Sequence, residues 1–160
     1  MGQINDSLHV GGQLSYNTFL ASKNSIAAEG VIHRFPLHYF QAAGADIVDA
    51  TVNLHTFVFG GAVTGIVITA STAPDGGNKL FTVDLKKGNQ GGAFASILTA
   101  PVQMDDAHAN RQVITGVLSS SPTVCSAGDT LQLVVDAQGS TGSQGQGLIV
   151  TVFVLENGAA

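Results

Sequence analysis

From Leu80 to Lys86 the side chains alternate, with Phe81, Val83 and Leu85 on one side of an extended chain and Leu80, Thr82, Asp84 and Lys86 on the other. A period of two marks a strand with one buried face. Turn signals close this strand at both ends, Thr72-Ala-Pro-Asp-Gly-Gly77 before it and Gly88-Asn-Gln-Gly-Gly92 after it. Pro74 pre-sets φ, Asp75 can bond its own backbone, and the glycines permit positive φ. Strand Lys79–Gly88, bounded in this way, predicts an all-β domain.

The same signature recurs along the chain from Val31. Phe35, Leu37 and Tyr39 alternate with Pro36, His38 and Phe40, a first strand that Pro36 assigns to a sheet edge or a bulge. Ala43-Gly-Ala-Asp46 is a turn. Ala50–Phe59 reads as a second strand, with Val52, Leu54, Thr56 and Val58 opposite Asn53, His55, Phe57 and Phe59. After the Gly60-Gly61 turn, Ala62–Ser71 is a third. Phe94–Leu98 and Gln112–Leu118 are the fifth and sixth, separated by Asp105–Asn110, a polar loop with room for one helical turn. Thr123–Cys125 is a short piece. Thr130–Ala137 follows with Leu131, Leu133 and Val135 facing in, and Gly147–Leu155 closes the domain. Gln138–Gly147 has no apolar interior and is expected to be solvent-exposed or disordered. Eight or nine short strands without an intervening helical pattern predict an antiparallel β-sandwich, jelly-roll-like and of about eight strands.

Two strands are apolar on both faces, Ala62–Ser71 and Leu148–Leu155. A two-sided strand is central in a sheet or is covered by a neighbour. Both strands cannot be central in one small sandwich without cost, so one sheet is expected to lie against a partner subunit. At about 25 cal/mol per Å2 of apolar surface removed from water, a few such side chains contribute several kcal/mol to assembly. Residues 1–30 differ from the rest: Leu14, Tyr16, Phe19 and Leu20 stand among polar residues and glycines, and Ala21–Ala28 is too short for an independent helix. They are expected to form an N-terminal arm docking on partner subunits, with residues 31–160 as the sandwich. The candidate interface is Leu14, Tyr16, Phe19 and Leu20 on the arm, with Ile66, Ile68, Ile149 and Phe153 on the two-sided strands.

Composition favours a protein packed against other chains. Charged residues are 11% of the 160 positions, against an average of about 25%. Mean hydropathy is +0.29, and no Lys or Arg follows Arg111. A freely diffusing protein keeps a more charged surface. A net charge of −5 with a single basic pair, Lys86-Lys87, argues against nucleic acid. The longest apolar tract, Phe57–Ala70, is interrupted by glycines and threonines and is too short for a membrane helix, so no membrane association is expected. The N-terminus shows no basic region followed by an apolar run. One cysteine, Cys125, permits no internal disulfide and reads as a buried small side chain.

Candidate chemistry is sparse. His33 and His38 face opposite sides of a strand. His38 and His55 are a weak two-histidine pair without a carboxylate. Asp105-Asp106 with His108 has the look of an acid–base pocket, but no nucleophile motif, phosphate loop or dinucleotide fingerprint accompanies it. No catalytic residue, metal site or cofactor is expected, and the chain does not read as an enzyme.

Several phrases occur in a recognisable order: Gly65-Ile-Val-Ile-Thr-Ala-Ser-Thr-Ala-Pro74, Phe81-Thr-Val-Asp-Leu-Lys-Lys-Gly88, Ser96-Ile-Leu-Thr-Ala-Pro101, Ala127-Gly-Asp-Thr-Leu-Gln-Leu-Val-Val135 and the closing Leu148–Glu156 strand. Over roughly the C-terminal two-thirds this resembles a group of tailed-bacteriophage β-sandwich proteins, the capsid decoration (cement) and head-fibre or tail-fibre proteins. The resemblance implies a viral structural protein, a homotrimer made in the host cytoplasm and mounted on the outer surface of the virion capsid. Its implied partners are the major capsid protein and itself. The alternative within the same resemblance is a trimeric fibre domain that binds a host-surface glycan through the Gln138–Gly147 and Gly88–Gly92 loops.

Overall fold

The structure is a computed structural model that describes residues 32–157. Ten strands are present: β1 (Ile32–Phe40), β2 (Ala50–Thr56), β3 (Gly61–Thr72), β4 (Leu80–Gly88), β5 (Ala95–Ser96), β6 (Val102–Asp105), β7 (Ile114–Gly116), β8 (Thr123–Cys125), β9 (Thr130–Gln138) and β10 (Gln146–Asn157). There is no helix among the described residues, and Arg34–Glu156 forms one compact unit.

The strands form two antiparallel sheets. Sheet A runs β1-β10-β3-β7, with β8 also on β3; sheet B runs β2-β9-β4-β5, with β6 also on β4. The pairing is nested: β1 with β10, β2 with β9, β3 with β7 and β8, β4 with β5 and β6. Each long inner strand, β3 or β4, therefore offers one edge to two short strands in succession. That accounts for ten strands where the alternation predicted about eight. The fifth strand shrinks to β5, the sixth to β7, and β6 lay unnoticed between Pro101 and the Asp105 loop. Its signal was Val102 and Met104, both buried, alternating with Gln103 and Asp105.

Most of the predicted alternation holds. Phe81, Val83 and Leu85 of β4 are fully buried, as are Leu131, Leu133 and Val135 of β9 to within 2%. Phe35, Leu37 and Tyr39 pack against the core, and β1 is an edge strand, where the missing amide of Pro36 breaks no ladder. Strand β2 departs from strict alternation. Its register on β9 shifts between Asn53 and His55, and a one-residue bulge exchanges the faces of everything beyond it. Phe57 is consequently fully buried, while Val58 and Phe59 are exposed at the turn.

In the Gln138–Gly147 segment residues 138–143 are exposed, as expected, while Gln144, Gly145 and Gly147 are buried, and the whole segment is docked by hydrogen bonds. Asp75 and Ser143 exchange backbone hydrogen bonds of 2.9 and 2.8 Å, and Asn78 Oδ1 accepts the amides of Ser140 and Thr141 at 2.9 and 3.1 Å. Gln144 is 7% exposed and donates to the Leu80 carbonyl at 3.1 Å. The turn allows this close approach because Gly77, at φ +64, has no Cβ to meet the Thr141 carbonyl.

Candidate functional site

Four of the candidate side chains, His38, His55, Asp105 and His108, are engaged in hydrogen bonds within the fold. His38 lies on the outward side of sheet A, with Nδ1 3.1 Å from Thr151 Oγ1, whereas His55 stands between the sheets 2.9 Å from Glu156. The two histidines share no site, and no group of three metal-ligating side chains exists among the described residues. Asp105 closes its own turn. It accepts the Gln103 amide at 2.8 Å and the Ala107 N–H at 3.1 Å, and it lies 2.8 Å from His108 Nδ1. The Gln103 bond first, then Ala107 and His108, hold its carboxyl below the usual range against a small burial effect. Cys125 is buried, and burial pushes its thiol up to about 11 although the Lys87 ammonium opposes the shift. Such a thiol packs and does not attack.

Two polar clasps join the sheets. In one, Glu156 of β10 takes His55 Nε2 at 2.9 Å with one oxygen and the Val58 amide at 2.6 Å with the other. His55 is further held by edge contacts to Phe35 and Phe57, with ring centroids 5.5 and 4.9 Å away. In the other, Lys87 of β4 donates to the Val124 carbonyl of β8 at 2.9 Å and meets Asp129 at 3.1 Å. Burial acts to raise the Asp129 pKa, but the Ser126 amide and Lys87 outweigh it and leave the carboxyl lowered. These clasps fix the relative setting of two sheets whose outer faces differ in kind.

The outer face of sheet B satisfies itself. Gln132 donates to Asn53 at 3.1 Å, Ser96 to Asp84 at 2.6 Å, Gln103 to Asp105 at 2.8 Å, and the Thr56 and Thr130 hydroxyls pair at 2.8 Å. Polar side chains bonded across neighbouring strands make a solvated face. Sheet A is the reverse. Its outward positions carry Phe40 (73% exposed), Ile149 (45%) and Phe153 (43%) on β1 and β10. Val113 and Val117 flank β7, and Val124 sits on β8, all three more than 60% exposed. Phe153 lies over Gly65 of the facing strand, its Cδ2 3.6 Å from where a Cβ would stand. Exposed apolar side chains gathered on one face of a sheet make it the candidate interaction surface.

The eight expected interface residues fall into three groups. Leu14, Tyr16, Phe19 and Leu20 lie outside the described residues. Ile66 and Ile68 are fully buried in the inter-sheet core, so they belong to the core and form no docking surface, a correction to the expectation. Ile149 and Phe153 are on the outward face of sheet A. The two two-sided strands are neighbours, β3 and β10, both central in one sheet. Their inward apolar residues make the core and their outward ones the exposed face. Sequence reasoning missed Phe40, Val113, Val117 and Val124. Their signal was the position opposite each inward residue on the same strand.

Compared by sequence, the chain matches no family model and no curated protein. Compared by structure, it shares its fold with a chain of the capsid of Ralstonia phage GP4, with a TM-score of 0.53 and 15% identity over 81% of this chain and 87% of that one. A chain of the cyanophage Pam1 capsid asymmetric unit aligns with a TM-score of 0.39 at 16% identity, over 78% and 85% of the two chains.

Proposed function

We propose that this protein is a structural subunit of a tailed-phage virion, a decoration or cement protein that seats the outer face of sheet A on the shell of the major capsid protein. The observation that carries the reading is the contrast between the two sheets, one face closed by its own hydrogen bonds and the other presenting Phe40, Ile149, Phe153 and their valine neighbours to solvent. The nested strand pairing of the sandwich supports a jelly-roll-like reading, an architecture common among viral capsid domains. The fold likeness to a phage GP4 capsid chain supports the same reading. In it, residues 1–30 are an arm that docks on neighbouring subunits, the chain is a homotrimer on the capsid exterior, and no reaction is catalysed. Many modest contacts multiplied by capsid symmetry suffice for such a role.

Purified virions test this directly. A cement protein is present in hundreds of copies per particle, and heads lacking it regain resistance to heat or chelation when the purified chain is added back. Removal of residues 1–30 is expected to abolish attachment. A few copies per particle, with trimers that adhere to host cells, would instead establish the glycan-binding fibre.

A further inference from the structure

The outward positions of sheet A differ from the rest of the chain in charge as well as in polarity. The chain carries a net charge of −5, yet no Asp or Glu occupies an outward position on β1, β3, β7, β8 or β10. The acids of the other sheet, Asp84, Asp105 and Asp136, point away on its polar face. Two arginines border the apolar patch instead. Arg34, exposed on β1, lines a shallow groove of about 320 Å3 together with Pro36, Thr64, Phe153 and Leu155. Arg111 is exposed at the opposite end, its amide bonded to the Ala70 carbonyl of β3 at 2.9 Å. Neither guanidinium forms an ion pair among the described residues.

We propose that the outer face of sheet A recognises an apolar surface bordered by carboxylates on a different protein, and not a second copy of this chain. This deepens the decoration reading and rests on it. Two copies packed face to face would gather four arginines in one interface whose described outward strand positions supply no acid, Asp46 beside β10 already accepting from Gln146, and like charges brought together at an interface cost several kcal/mol. Packing the face on sheet B of another copy would bury that sheet's hydrogen-bonded polar side chains against Ile149 and Phe153, which offer them no partner. An apolar patch with an acidic rim leaves neither penalty. Its aliphatic side chains would cover Phe40, Ile149 and Phe153. A rim Glu or Asp would enter the groove, its stem on the Phe153 ring and its carboxylate on Arg34, where a guanidinium can bind bidentately.

The test is binding of the purified full chain to phage heads assembled without it, across a range of NaCl concentrations. The wild-type chain should bind more weakly as salt rises. Arg34→Glu combined with Arg111→Glu should lose about tenfold or more in affinity at low salt and keep little salt dependence. Lys86→Gln, on the polar sheet, should bind like the wild type. Both arginines are exposed, so an unchanged thermal midpoint verifies folding of the variant. Wild-type binding that ignores salt, or a charge-reversed chain that binds as tightly as the wild type, overturns the acidic rim and leaves the decoration reading intact. A charge-reversed chain whose oligomeric state changes makes the face a self-interface and also overturns the inference. Heads that never bind the wild-type chain overturn the decoration reading itself.

Discussion

Glu156 reaches from the last strand of one sheet to His55 on the first strand of the other, its carboxylate 2.9 Å from the imidazole nitrogen and 2.6 Å from the Val58 amide. One side chain thus holds both a half-buried imidazole of β2 and the amide of the exposed turn that follows it. Glu156→Ala removes the partner of a half-buried imidazole and of an exposed amide that water can satisfy, so it should cost about 1–2 kcal/mol. Glu156→Gln keeps an acceptor for the amide and should cost less. Urea midpoints of the two variants at neutral pH check the ranking; equal losses would mean that the amide bond contributes nothing.

Gly116 on β7 faces core side chains of both sheets. A Cβ there would lie 2.7 Å from both Ile66 of sheet A and Val102 of sheet B. Neither branched core side chain can retreat without displacing its own neighbours. Gly116→Ala should therefore destabilise by about 1–3 kcal/mol through overpacking. Gly65→Ala is the control, since its Cβ would meet only Phe153 at 3.6 Å, an ordinary contact on the exposed face. Its thermal midpoint should move little.

Strand identity was legible wherever a long strand has one wet face. Phe81, Val83 and Leu85 announce β4, and Leu131, Leu133 and Val135 announce β9, because every inward residue but Leu133, which precedes Val134, is followed by a polar outward one. Legibility failed where the pattern is too short or too uniform. Val102 and Met104 are only two inward positions in a four-residue strand, too few to stand out beside Pro101 and an acidic turn. Alternation sets Phe57 opposite Val52 and Leu54 without saying which face is buried, and the bulge that brings it into the core is invisible to alternation. On β3 and β10 the two-sided apolar pattern was plain, yet which side faces the core depends on the partner strands. Ile66 and Ile149 look equivalent in sequence, and only the pairing of β3 with β7 and β10 separates core from surface.

The carboxyl of Asp129 is held below its ordinary value by the Ser126 amide and Lys87 acting against burial, which gives its contribution to stability a definite sign. A lowered folded pKa means that the ionised form is favoured by folding. The stabilisation is complete above the unfolded value of about 3.9 and is lost as pH falls through the lower folded value. Asp129→Asn retains an acceptor for Ser126 and removes the ion pair. It should lower the denaturation midpoint at neutral pH and flatten its decline in acid, while Asp105, also lowered, keeps part of the slope in both proteins. Parallel acid profiles for variant and wild type would show that the Lys87 pair contributes no pH dependence.

If sheet A docks as proposed, folding and docking draw on opposite sides of the same two strands, and substitutions should separate them. Ile66 and Ile68 are fully buried, and replacing either by Ala should cost about 2–5 kcal/mol through lost transfer energy and a residual cavity. Ile149 and Phe153 are nearly half exposed, and Thr at either position keeps a strand-compatible side chain. Ile149→Thr and Phe153→Thr should each change stability by about 1 kcal/mol or less, while together they remove much of the apolar area that sheet A offers a partner. The double variant should therefore melt close to the wild type yet fail to stabilise heads in the add-back assay. Ile66→Ala should fold less stably but, below its melting temperature, still attach. If the outward variants attach normally, sheet A is not the docking face, and the surface that holds this chain to its partner must lie elsewhere.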